Sequence, residues 1–294
     1  MGGEANGTAA LRALVAERNE RGAQTVKTVV SGGAMTAGSD LLGLQFGLDE
    51  VRLVVEEAHR LGLAVTAHAH SVPSVEVCVA AGVDGIEHCT CLTAWGIHTP
   101  PALIDALAAR GIQVCPTFGR LPGLPPSPQA IEVMRRTGMT LQARFEQVGA
   151  LFAAGGVPIL GGSDAGIHPA KPHGVLAYSV AELAQSGLPV AAALASATSA
   201  AANVCGLGGS RGLLCPRDGR RPACRGWRPG GGCCGADPAP AGGPARPGAP
   251  AQRRATSTEL TTSLSGCTST CGIQPAASAT SPGSTMTYSS ERRP

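Results

Sequence analysis

An α/β fold with a parallel sheet and helices packed outside it is predicted by three observations. Short β-branched or apolar runs begin near residues 25, 64, 85, 112 and 157, and each leads into a stretch with helical spacing. That alternation is the pattern of a parallel sheet covered by helices. Glycines at Gly62, Gly82 and Gly111 stop three of the helical stretches, as left-handed C-terminal caps do. Finally, polar residues gather where the strands end: His68 and His70 after Ala64–Ala67, and His88 after Gly85–Glu87. Parallel neighbours place their C-terminal ends on one edge, where such sheets and barrels hold their chemistry. Imidazoles at two strand ends can therefore converge on one metal ion.

The elements follow in order. Leu11, Leu14 and Val15 predict a helix over 9–20, and the β-branched run from Thr25 to Val30 predicts a strand. Lys27 stands inside that strand, one of only two lysines beside 21 arginines; the other is Lys171. A lysine on a buried strand is costly unless its charge is paired or removed, or its ammonium reaches the strand end. Ser31-Gly32-Gly33 follows, a turn open enough for a ligand to approach the backbone. Val51, Val54, Val55, Ala58 and Leu61 form one face of a helix over 49–61. Helices are also predicted over 73–81, 102–110, 129–154 with a break at Gly138, 176–186 and 190–204. The fourth and fifth strands are Ile112–Cys115 and Val157–Leu160, the latter turning out through Gly161-Gly162-Ser163-Asp164. Five such units are too few to close an eight-stranded barrel.

Hydrophobic residues make up 43% of the chain and aromatics only 3%, so the core must be built from Ala, Val, Leu and Ile. No apolar run is long enough for a membrane span, and no charged-then-apolar leader opens the sequence. The eleven cysteines have no regular spacing, and the early ones, Cys78, Cys89, Cys91 and Cys115, lie in or beside apolar elements. That usage predicts a reduced, cytoplasmic setting rather than a disulfide scaffold. Charge is uneven: residues 1–205 carry 12 basic and 16 acidic side chains, whereas residues 206–294 carry 11 and 4. The basic part lacks interleaved aromatics and any recognition motif, which argues against a nucleic-acid partner.

The ordered motifs VKTVVSGG with Lys27, TAHAHS with His68, GIEHC with His88 and GGSDAG with Asp164 resemble the metal-dependent amidohydrolase superfamily, in the branch of imidazolonepropionase and related dipeptidases. KPHG and LASATSAAANVCGL fit as well, so the resemblance runs from about Thr25 to Leu207. It implies a partial TIM-like (β/α)8 barrel, about strands four to eight with their helices, over residues 1–207. It implies a hydrolase whose divalent cation, expected to be zinc, activates water against an amide or cyclic amide C–N bond. By the same resemblance Lys27, carboxylated, with His68 and His88 would hold one cation, and Asp164 would serve a second and handle the proton. His70 and His173 are the expected substrate contacts; His59 and His98 read as structural or solvent-facing.

The sequence departs from the resembled pattern twice. No His-x-His pair, which in the family completes the buried metal site, precedes Lys27, so one cation is expected where the intact architecture holds two. After Leu207 the periodicity gives way to a Gly/Pro/Arg-rich stretch without lysine, RPACRGWRPGGGCCGADPAPAGGPARPGAP. Residues 208–294 therefore read as an irregular tail, either a natural low-complexity segment or the product of a shifted reading frame or mistaken gene model. Two alternatives to amide hydrolysis stand beside it: a non-catalytic remnant that binds at most one cation, and an esterase or phosphotriesterase with the same metal centre. The expected partners are a small-molecule substrate and further copies of the chain meeting through open sheet edges, with neither membrane nor nucleic acid.

Overall fold

A computed structural model of the chain describes residues 3–36, 38–213 and 271–275. Among these, the central sheet contains β1 (Gly3–Ala5), β2 (Thr25–Val29), β3 (Ala64–Ser71), β4 (Gly85–Thr93), β5 (Gly96–Ile97), β6 (Gln113–Cys115) and β7 (Cys271–Pro275). Its order is β1-β7-β2-β3-β4-β5, with β6 also on β4. The pairs β2–β3, β3–β4 and β4–β6 are parallel, which matches the predicted alternation and makes a partial (β/α)8 barrel.

The helices are α1 (Thr8–Glu20), α2 (Leu48–Arg60), α3 (Val72–Ala81), α4 (Pro101–Ala109), α5 (Pro128–Thr137), α6 (Leu141–Glu146), α7 (Leu176–Gln185), α8 (Val190–Ser196) and α9 (Ser199–Val204), with a π-helical turn at Gln147–Ala153. Leu11 and Val15 of α1, Val51, Val54 and Ala58 of α2, and Val75 and Cys78 of α3 are buried in one core with Val26, Val65, Ala67, Ile86 and Val114. The face is sealed because β2 and β3 alternate, each second side chain being buried. On the opposite face Lys27, Thr66, Glu87, Gln113 and Cys115 are only half-buried.

Helix boundaries follow local chemistry. Ser71 ends β3 and also caps α3, its hydroxyl accepting from Ser74 N at 3.3 Å, so strand passes to helix without a loop. Gly82, at φ 82°, then stops α3 in the left-handed region. The helical run predicted over 129–154 breaks at Gly138, at φ 67°, and resumes at α6. The run predicted over 190–204 is interrupted between α8 and α9, where Thr198 Oγ1 turns back onto Leu194 O at 2.8 Å.

Several expectations change. The strand predicted at Val157–Leu160 is reduced to one parallel bridge, Val114↔Ile159. Val114 N donates to Pro158 O at 2.8 Å and Leu160 N to Val114 O at 2.9 Å, but Pro158 has no N–H with which to extend the ladder. Strands β3 and β4 run several residues further than predicted, so the histidines lie inside them rather than beyond them. Gly32, read as room for a ligand, is instead approached by the chain itself: a Cβ there would sit 2.3 Å from Asp40 O. Within the tail expected to be irregular, Cys271–Pro275 forms β7, parallel to both β1 and β2. The unpaired edge of β2 explains how so weak a strand sequence is captured. The rest of that tail, beyond Leu213, lies outside the described residues. Among the described residues no helix is long and apolar enough to cross a membrane.

Candidate metal centre

His68, His70 and His88 come together at the C-terminal edge of the sheet. Their rings are 4.7 Å (His68–His70), 4.6 Å (His68–His88) and 4.5 Å (His70–His88) apart between centroids. One ring nitrogen from each lies within 4.8 Å of the others. Tetrahedral zinc–nitrogen bonds imply donors about 3.3 Å apart, so small ring rotations would close the set on one ion.

Regular strand geometry would not produce this convergence. The register pairs Val29 with His68 and His68 with Glu87, which puts His68 and Glu87 on the inner face and leaves His88, paired with Ala69, on the other. Two irregularities overturn that parity. The β3–β4 register shifts between Ala69 and Ser71, and His88, Cys89 and Cys91 take left-handed φ values of 67°, 46° and 51°. The chain twists at His88 and swings its ring toward His68. Left-handed backbone at three non-glycine residues in one strand is strained, and such strain gathers at functional sites.

Each ring is also anchored. His68 Nε2 is 3.2 Å from Gly32 O, His70 Nδ1 is 2.8 Å from Thr90 Oγ1, and His88 Nδ1 is 2.9 Å from Thr117 Oγ1. For His70 and His88 this leaves Nε2 for a ligand, with an outer partner on the other nitrogen as metal-binding histidines have. Burial holds all three below their ordinary pKa, His70 and His88 well below it. The neighbouring imidazoles, Lys27 and the Arg144 guanidinium add to the effect at His88. At neutral pH the rings are therefore uncharged donors, the form that binds metal.

Of the residues predicted from sequence, the structure gathers His68, His70 and His88. Lys27 shares the inner face, in register with Thr66, and its charge further disfavours protonation of His68 and His88. Asp164 is exposed, at φ 51°, outside the cluster yet close enough for its charge to favour protonated His68. His173 is exposed, with Nε2 3.1 Å from where a Cβ on Gly166 would sit. His59 is structural, its Nε2 2.9 Å from Asp84 Oδ2.

Other residues of the site carried no sequence signal. Thr90 and Thr117 orient the rings; Arg144 and Gln147 hold the carbonyls of His88 and Thr90. Lys171 Nζ donates to Thr117 O at 2.5 Å and Ser163 O at 2.8 Å, joining two loops of the site. Lys171 lies in the KPHG motif and Glu87 in GIEHC, whereas Thr117, Arg144 and Gln147 act through long-range contacts that no spacing announces. Glu87, held at 3.1 Å by Thr66 Oγ1, adds a carboxylate to the inner face.

Three neutral imidazoles on one strand edge are a donor set suited to zinc and to several other transition metals. Fold and site together define a partial β/α barrel whose strand edge carries a three-histidine cluster able to hold a metal ion. Residues 3–217 match the model of the amidohydrolase family, and the chain belongs to that family. It is 33% identical over 84 residues to ochratoxinase of Aspergillus niger, a match covering 29% of this chain and 18% of that protein. Among solved structures, a prolidase complexed with N-methylphosphonate-L-proline superposes with a TM-score of 0.58 at 25% identity, over 72% of this chain and 50% of that one. An Xaa-Pro dipeptidase with methionine in its active site gives 0.57 at 27%, over 70% and 50%. The chain thus spans about half the length of these solved relatives.

Proposed function

We propose that the chain is a metal-dependent hydrolase acting on an amide or cyclic amide C–N bond. The observation that carries this reading is the convergence of His68, His70 and His88 at the sheet edge. Likeness to a prolidase and an Xaa-Pro dipeptidase supports an amide-type bond. When bound, a divalent cation, zinc in this reading, supplies a Lewis acid that acidifies water and polarises a carbonyl.

The chain's own residues do the rest. His68 and His88 would hold the cation, His70 would offer the third imidazole of the cluster, and Lys27 would join them as a carbamate, formed when its neutral amine adds to carbon dioxide and releases a proton to solvent. Thr90 and Thr117 hold Nδ1 of His70 and His88, which leaves Nε2 of each ring free for the cation. Asp164 takes the proton of the attacking water and passes it to the leaving nitrogen, its exposure leaving it accessible to substrate. Lys171 steadies Asp164 from the preceding Ser163 carbonyl. His173 contacts the substrate from the neighbouring loop.

The test is turnover of amide, lactam and ester substrates by zinc-loaded protein, beside an Asp164→Asn control. Amide or lactam turnover lost in the control supports the reading. Ester turnover alone would transfer it to an esterase. Stoichiometric zinc without turnover of any of the three would leave a cation-binding protein.

A further inference from the structure

We propose that Arg144 and Gln147 form a positioning clamp that aims His88 and His70 at a common point. The inference deepens the metal-site reading and rests on it. Arg144 lies on α6, and Gln147 opens the π-helical turn that continues it. Three residues apart, the two side chains share one face, and both are buried.

Arg144 donates only to neutral oxygens. Its Nη2 reaches His88 O at 2.8 Å and Pro116 O at 3.3 Å, while Nη1 bonds Gln147 Oε1. Its guanidinium carbon lies 5.6 Å from the centre of the Phe118 ring. Burial pulls its pKa down to about 10, which still leaves it charged at neutral pH. A buried charge without a carboxylate is a poor way to gain stability, since apolar packing does as well or better. What apolar packing cannot supply is direction.

The directions here are specific. His88 O belongs to the peptide between His88 and Cys89, both left-handed. Pro116 O belongs to the peptide that precedes Thr117, also left-handed at φ 55°, whose hydroxyl holds His88 Nδ1 at 2.9 Å. One guanidinium nitrogen therefore holds the carbonyl of His88 and the carbonyl just before Thr117, the two ends of the His88–Thr117 hydrogen bond. Gln147 Nε2 does the same for the second ring. It donates to Thr90 O at 3.1 Å and Thr99 Oγ1 at 2.7 Å, and the Thr90 hydroxyl holds His70 Nδ1 at 2.8 Å. The Arg144–Gln147 bond couples the two halves. A π-turn at Gln147 fits the role, because such turns recur where a helix presents side chains to a site.

The experiment uses the full isotope-labelled, metal-free chain and reads the ring tautomers of His70 and His88 by long-range proton–nitrogen NMR at neutral pH. In the wild type both rings should hold a single Nδ1–H tautomer. Gln147→Met should mix the tautomers of His70 more than those of His88, whereas Arg144→Lys should disturb His88 more than His70. Zinc affinity, measured by chelator competition, should fall by about 10–100-fold in each variant, the range expected for a lost outer partner of a metal ligand. Unchanged ring signals in both variants overturn the proposal, as does an equal disturbance of both rings by each substitution. If Arg144→Lys does not fold, Gln147→Met decides alone. Ring signals that move as expected in a protein that takes up no zinc would uphold the clamp and sink the metal reading. Zinc uptake with unmoved rings would do the reverse.

Discussion

The two faces of the central sheet divide the molecule's work. On the outer face Val26, Val65, Ala67, Ile86 and Val114 are sealed beneath α1, α2 and α3, at no more than 1% exposure. On the inner face Lys27, Thr66, His68, Glu87, Gln113 and Cys115 alternate with them, polar and half-buried. The same strands thus supply both, because successive side chains point to opposite sides. The difference teaches that stability and chemistry are separable here residue by residue: the outer face carries the apolar area that holds the fold, and the inner face can vary with less effect on it.

That separation can be broken or sharpened experimentally. The largest expected effect is His88→Ala, which should abolish stoichiometric zinc uptake while leaving a cooperatively folded protein, read by metal analysis beside circular dichroism. His70→Ala sharpens the assignment: if it lowers zinc uptake while His173→Ala does not, His70 is a ligand, and wild-type uptake in His70→Ala would return it to substrate binding. Next, Ile86→Ala on the sealed face should cost about 2–5 kcal/mol in denaturant unfolding, with zinc binding retained by the folded fraction. Acidification should act through the site. Folding holds His70 and His88 well below their ordinary value of 6.5, so the unfolded chain binds protons that the folded one does not. Their contribution to stability is complete above that value and declines as pH falls toward the depressed values. A metal-free protein whose stability is flat on moving below that ordinary value would contradict the burial of these rings. Smallest is Thr66→Val, which removes the 3.1 Å bond to Glu87 and should cost about 0.5–1.5 kcal/mol, less than any cavity on the outer face.

Much of the architecture was legible in advance because its signals are local. The apolar stripe of α2, the Gly82 stop of α3 and the β-branched run of β2 each state their element within a few residues. The segment Val157–Leu160 reads as a strand because an apolar run does not reveal that Pro158 stops its ladder from extending. The strand at Cys271–Pro275 was not read at all, since it depends on a neighbouring edge rather than on its own composition. Among the site residues, His68, His70 and His88 were visible as histidines at strand ends. Their shared destination was legible only in outline.

By itself the sequence determined most of the helices and the strands β2, β3, β4 and β6, that the sheet is parallel, and that imidazoles gather at one edge of it. These follow from period, capping and the handedness of strand–helix–strand connections, which are properties of short stretches. The tertiary structure alone decided how the rings meet. Strand parity sends His88 away from His68, and the left-handed backbone at His88 and Cys89, with the register shift between Ala69 and Ser71, brings it back. That backbone is held by Arg144, 56 positions later in the chain, whose guanidinium reaches the His88 carbonyl at 2.8 Å. Such a conformation is unfavourable for an isolated segment and persists only where packing from distant elements over-determines it, so no local pattern could have announced it.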